Sequence, residues 1–256
     1  MCFGCGVRAD YFCVFFEVDV RLDKFLSITG TCSRSDAKRA IRAKNVTVNG
    51  IVAKNADVQI DENNDEISYC GKKVVYRQYS YIMLNKPEGV VSATEDGKDV
   101  TVLDLLPDGV RNDRMFPCGR LDKNTLGLIL LTDNGDLAHR LLAPKSHVAK
   151  KYRFCSRFPI SDEDTTRFEE RLVLEDGYVT LPAKIELDED RMSGIITLVE
   201  GKYHQIKRML EAIDNKITYL ERISFGPLSL DASLARGEWR YLSDDEIALL
   251  EQHGKE

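Results

Sequence analysis

The segment Gly119-Arg-Leu-Asp122-Lys-Asn-Thr-Leu-Gly127 sets one carboxylate between two cations, just ahead of the apolar run 126–131. A neighbouring cation favours the charged form of a carboxylate, and the charged form is a nucleophile. The bracketing glycines let another backbone or a ligand come close. An Asp in an ordinary polar turn would look the same, so these residues alone leave both readings open. Other catalytic signatures are missing: there is no G-x-G-x-x-G, no Walker loop, no G-x-S-x-G elbow and no H-E-x-x-H. The four His, at 139, 147, 204 and 253, show no metal-ligand spacing. Cys2-Phe-Gly-Cys5 has the spacing of half a zinc site but no second pair, and no metal is expected.

Around that segment the pattern predicts a mixed set of elements. Residues 81–86 read as a strand stopped by Pro87, residues 102–106 as a short helix, and 116–122 as a lead into the buried strand 126–131. Asn134 to Asp136 caps a helix through Leu142, and residues 150–158 form another strand. Ser161 and Asp164 open a helix whose Phe168 and Leu172 face inward. Two further strands, 183–187 and 195–199, flank a polar turn. Ile206, Met209, Leu210 and Ile213 make a helical stripe, with Lys207 and Arg208 beside it, and Ser243 and Glu246 cap a last helix. Strands and helices do not alternate regularly, which favours α+β over a doubly wound sheet.

The 256 residues are 43% apolar and carry a net charge of −6, enough core-forming material for two domains and an apparent argument against a polyanion partner. Charge acts over roughly 8 Å at physiological salt, so its distribution matters more than its total. Residues 1–20 hold one Arg and three acids, for −2. Residues 21–78 hold eleven Lys and Arg against seven acids, for +4, and residues 79–256 hold twenty-four against thirty-two, for −8. The basic stretch begins with Leu22, Phe25 and Leu26 on one helical face. A second helix, capped by Ser33 or Ser35, runs to about Lys44 with Ala37, Ala40 and Ile41 inward. Arg34, Lys38 and Arg42 recur every four residues on its exposed face, flanked by Arg39. Val46-Thr-Val-Asn49-Gly50-Ile-Val then predicts a hairpin. A solvated charged face explains the run of cations, as does a phosphate backbone that offsets their mutual repulsion.

Residues 1–20 read as an N-terminal extension and 74–80 as a linker. The longest apolar run, 11–16, is too short to span a membrane, and no secretory signal precedes it. Seven Cys at irregular spacing argue against a disulfide framework and for a reducing, cytoplasmic setting.

The pattern R-L-D-K-F-L…S-R-S-D-A…I-R…V-T-V-N-G over residues 21–50 resembles the S4 RNA-binding domain, which is understood to place this helical face on structured RNA. Gly119-Arg-Leu-Asp122-x-x-Thr-x-Gly-Leu resembles the signature loop of pseudouridine synthases. Three other stretches are similar to the same family in the same order: Leu84-Asn-Lys86-Pro87-x-Gly89, Lys150-Lys-Tyr152-Arg, and Glu200-Gly-Lys-Tyr-His-Gln-Ile-Lys207-Arg208. With the S4 domain in front, the span 21–256 resembles the RsuA branch. The resemblance implies an S4 domain over 21–78 and a largely antiparallel catalytic domain over 79–256. It implies isomerisation of a uridine in RNA without a cofactor, in that branch at uridine 516 of 16S rRNA, while close relatives modify 23S rRNA or tRNA. A non-catalytic RNA-binding role in ribosome assembly is the rival reading. Asp122 matches the catalytic aspartate, which attacks either ribose or base. Tyr152 matches the active-site tyrosine, and Lys207 the basic partner of Asp122. Arg120, Lys86, Arg153 and Arg208 are candidate RNA contacts, as are Arg34, Lys38, Arg39 and Arg42 in front. The expected partners are ribosomal RNA or the assembling small subunit, met by a monomer, with no membrane.

Overall fold

The computed structural model describes residues 20–29, 31–62, 64–74, 78–107 and 110–253. The Cys2/Cys5 pair, residues 1–19 of the expected extension 1–20 and residues 75–77 of the expected linker lie outside them; Val20, the last residue of that extension, is instead buried in the short strand Val20–Arg21. The chain divides into two compact units, Met1–Gln78 and Tyr79–Glu256.

In the first unit the helices Leu22–Ile28 and Arg34–Arg42 cover a four-stranded antiparallel sheet. Ser33, not Ser35, is the N-cap of the second helix: its hydroxyl accepts the Asp36 N–H at 3.2 Å. Leu22, Phe25 and Leu26 bury against Ala37, Ala40, Ile41, Val46 and Ile67. Each large apolar side chain so buried stabilises the fold by about 1.5–3 kcal/mol. The Asn49-Gly50 turn has positive φ at both residues, 51° and 78°, and pairs Val48 with Ile51. That is the geometry a two-residue hairpin needs.

The second unit is built on a nine-stranded sheet. Its main path runs, in spatial order, Lys184–Leu187, Ser193–Leu198, Lys150–Ser156, Ile217–Phe225, Leu126–Thr132, Tyr81–Lys86 and Trp239–Tyr241. Neighbours are antiparallel except where Ile217–Phe225 runs parallel to Leu126–Thr132, through Glu221/Leu126 and Arg222/Gly127. Alternate residues of the central strands enter different cores. Ile82, Leu84, Ile129 and Leu131 join Phe154, Phe168 and Met209 on one face. Met83, Leu128 and Leu130 join Leu137, Leu141 and Phe225 on the other. Gly127 permits the parallel contact, for a Cβ there would stand 2.3 Å from the Arg222 carbonyl oxygen, at a φ of +98°.

Two sequence expectations change, and one strand, Ile217–Phe225, enters that the sequence pattern did not predict. Residues 102–106 form consecutive turns, Asp104 N–H to Thr101 O and Leu106 N–H to Leu103 O, and no helix, because Asp104 Oδ2 takes the Thr101 N–H and Pro107 follows. The helix Asp162–Glu170 stops before Leu172, which is buried in the extended segment beyond it. The longest strand, Ile217–Phe225, has no simple apolar alternation, because its buried position 222 is an arginine. No helix among the described residues is long and apolar enough to cross a membrane.

Candidate active site

Asp122 lies on the connection between Phe116–Cys118 and Leu126–Thr132, and that loop is tied down at many points. The Lys86 ammonium, fully buried, donates to the carbonyl oxygens of Thr125 (2.8 Å), Pro87 (3.1 Å) and Lys123 (3.1 Å). Ser92 Oγ donates to Leu121 O at 2.9 Å and accepts the Leu121 N–H at 3.0 Å. Gly89 N–H reaches Lys123 O, and Lys123 pairs with Asp99 at 2.6 Å. Lys86 therefore departs from the expectation of a phosphate contact: its ammonium is spent on three carbonyl oxygens, and it shapes the loop instead. Burial pushes its pKa down to about 8, although Asp122 and Glu88 pull the other way.

The helix Gln205–Glu211 carries the facing cation. Lys207 Nζ stands 2.6 Å from Asp122 Oδ2, and each side chain is 27% exposed, so the pair forms the wall of an open cleft. An ammonium at that distance favours negative charge on the carboxylate oxygens. His204 Nε2 lies 3.5 Å from Asp122 Oδ1. Its backbone is left-handed (φ +49°) at the helix N-cap, and its ring stacks on Tyr203 at 3.8 Å. A non-glycine residue held there stores strain of order 1–3 kcal/mol, which the surroundings must offset. Glu200 braces the turn: its carboxylate accepts from Tyr178 Oη at 2.7 Å and Leu181 N–H at 2.8 Å, and from the Gln205 amide. Gln205 Oε1 in turn accepts the Lys202 N–H at 2.9 Å.

Tyr152, from the strand Lys150–Ser156, presents its largely buried ring to the same cleft, with Arg120 beside Asp122 and an apolar floor of Leu198, Ile206 and Leu220. A flat base could rest on that floor with its edge toward the carboxylate. Arg153 and Arg208 do not line the cleft. Arg153 pairs with Asp188 at 2.7 Å, since successive strand residues face opposite ways, and Arg208 pairs with Asp176. His204 has no metal-ligand spacing to mark it in the sequence; its place directly before Gln205-Ile-Lys207 is the available signal.

In the first unit Arg34, Lys38, Arg39 and Arg42 are all exposed on one helix. Arg39 pairs with Asp36, and Lys38 approaches Asp23 at 3.9 Å, so acids offset part of the expected repulsion. Lys38 and Arg42 share a groove with Arg21 and Lys54, which sequence spacing did not associate with them.

The RNA pseudouridylate synthase family matches residues 80–212, and the S4 domain matches 20–67. This chain belongs to the RNA pseudouridylate synthase family. An uncharacterized RNA pseudouridine synthase of Bacillus subtilis, YtzG, is 44% identical over 91% of this chain and 99% of that protein. The ribosomal small subunit pseudouridine synthase A of Vibrio vulnificus is 39% identical, over 89% of this chain and 98% of its own length. A crystal structure of a pseudouridylate synthase superposes with a TM-score of 0.63 at 36% identity, covering 90% of this chain and 99% of that one. The enzyme is thus an RNA pseudouridine synthase of the RsuA type, an S4 domain followed by a largely antiparallel synthase domain.

Proposed function

We propose that this synthase isomerises a uridine of small-subunit ribosomal RNA, uridine 516 of 16S rRNA, with Asp122 as nucleophile. The observation that carries the reading is the Asp122–Lys207 pair, 2.6 Å apart on the wall of a cleft that Tyr152 also lines. The names of the relatives support the RNA. Residues 21–78 grip the RNA and residues 79–256 do the chemistry. The target leaves its stack at a cost of a few kcal/mol, and Arg120 occupies the space it vacates. Asp122 attacks the ribose or the base, the N-glycosidic bond breaks, and the uracil turns on its apolar floor. C5 then bonds to the ribose carbon as the bond to Asp122 breaks; C5 loses its proton, with the Tyr152 hydroxyl in the relay, and N1 takes up a proton. No cofactor takes part, because the bond broken and the bond formed belong to one nucleoside. The enzyme acts as a monomer, in the cytoplasm, on free 16S rRNA or on the assembling subunit.

Tritium release from 5-labelled uridine in 16S rRNA tests the assignment, with Asp122→Asn as the inactive control. A wild-type protein that binds RNA without releasing tritium would instead be an assembly factor. Pseudouridine mapping in a strain lacking the gene reads out the position, and an unchanged 16S map with a gap in 23S rRNA or tRNA would move the target there.

A further inference from the structure

Beside the uridine cleft lies a second cavity, of about 500 Å³, and the two share Arg120, Tyr152, Glu200 and Lys202 on their walls. Two of its cations, Arg222 buried and Lys150 half-buried, are held in an unusual way. Arg222 is 1% exposed; its Nε donates to Leu128 O at 2.7 Å, while Nη2 has no hydrogen-bond partner among the described residues. Lys150 Nζ donates to Val148 O at 2.9 Å. Both cations sit over the Phe225 ring, at 5.1 and 5.8 Å from its centroid. Neither makes an ion pair with any described residue. A guanidinium and an ammonium against one ring repel each other, and a buried charge without a counter-charge is unfavourable.

The rest of the wall relieves them only in part, through the attraction of Glu200 for the Lys150 ammonium. Lys145, His147 and Lys202 add positive or titratable groups, and the lining carboxylate, Glu200, already accepts from Tyr178, Leu181 and Gln205. This concentration of cations occurs in a unit whose net charge is −8. A bound anion would satisfy the spare guanidinium N–H groups and remove the repulsion together.

We propose that Arg222 and Lys150 form a phosphate subsite that takes a phosphodiester of the substrate strand next to the uridine held in the cleft. The proposal rests on the isomerase reading above, and the shared wall is what ties the phosphate to that strand. Burial, with Arg222 acting in the same sense, pushes the Lys150 pKa down to about 8, and a neighbouring phosphate would reverse that shift.

The test measures binding of a 16S rRNA transcript across a salt series, together with tritium release, for wild type, Lys150→Gln, Lys150→Arg and Arg222→Lys. Lys150→Gln should raise KM about tenfold with kcat within about twofold, and should make the slope of log K against log salt shallower by roughly 0.7–0.9. Lys150→Arg should restore both, and Arg222→Lys should retain the slope while losing affinity. An active wild type whose Lys150→Gln variant, folded by thermal melting, keeps KM and slope overturns the subsite. Inorganic phosphate that shifts the Lys150 side-chain NMR signal, with no change in the RNA slope, would mark a free-anion site and overturn the assignment to the strand. A wild type that releases no tritium removes the isomerase reading itself, and the assignment with it.

Discussion

The basic helix of the first unit and the cleft of the second hold their cations in opposite ways. On Arg34–Arg42 the charges stand in water, and Arg34 and Arg42 make no ion pair among the described residues. In the second unit Lys86 is wholly buried against three carbonyls, and Lys207 is committed to one carboxylate. Exposed charges act by number and are screened by salt. Enclosed charges act by position, because displacing one leaves unpaired partners behind. Substitutions in the first unit should therefore give moderate, additive, salt-dependent losses, and those in the cleft large and non-additive ones.

The sharpest way to break this contrast is Asp122→Asn. Turnover should fall by more than about 10³-fold while RNA binding persists, as single-turnover tritium release and filter binding would register. Residual activity within tenfold would show that the carboxylate is dispensable. Lys207→Met should cost about 10²-fold in kcat, the scale of one lost electrostatic contact to a reacting group. Lys207→Arg should recover to within about tenfold, since a guanidinium keeps the charge but changes the approach.

Neutralising Arg34, Lys38 and Arg42 together should weaken RNA binding about 10–100-fold at physiological salt and flatten the salt slope by roughly 2–3, with kcat at saturating RNA little changed. A specific loss of kcat from that triple variant would mean the two units are not separable in this sense. Lys86→Met should destabilise the second unit by about 1–3 kcal/mol, because three carbonyls lose their donor. The folded form releases the Lys86 proton at about 8, while the unfolded chain holds it to 10.5. Between those values the unfolded state binds more protons, so wild type should gain stability relative to Lys86→Met as pH rises through that window. Denaturant melts of both proteins across it would measure the sign. His204→Ala should be the mildest change, about two- to fivefold in kcat, in keeping with a half-exposed contact at 3.5 Å.

Much of this molecule is written in local signals. Ser33, Asn134, Ser161 and Ser243 cap their helices, and Asn49-Gly50 turns its hairpin, because those choices depend on residues within one helical turn or one hairpin. The four-residue spacing of Arg34, Lys38 and Arg42 likewise assigns them one face. Motif order marked Asp122, Tyr152 and Lys207 as a set, though their separations along the chain carry no geometry.

What folding alone decided is long-range. Lys86 resembles any surface lysine until Leu126–Thr132 pairs beside its strand and the Asp122 loop wraps its ammonium in carbonyls. Arg222 interrupts the apolar pattern of its strand, and only the parallel crossing at Gly127 shows it to be interior. Arg21 and Lys54 meet Lys38 and Arg42 in a groove that no spacing rule predicts. A local signal reports which backbone conformation a residue prefers. Whether a charge ends in water or against a carbonyl depends on which distant strand arrives next to it, and that energy exists only after the chain has packed.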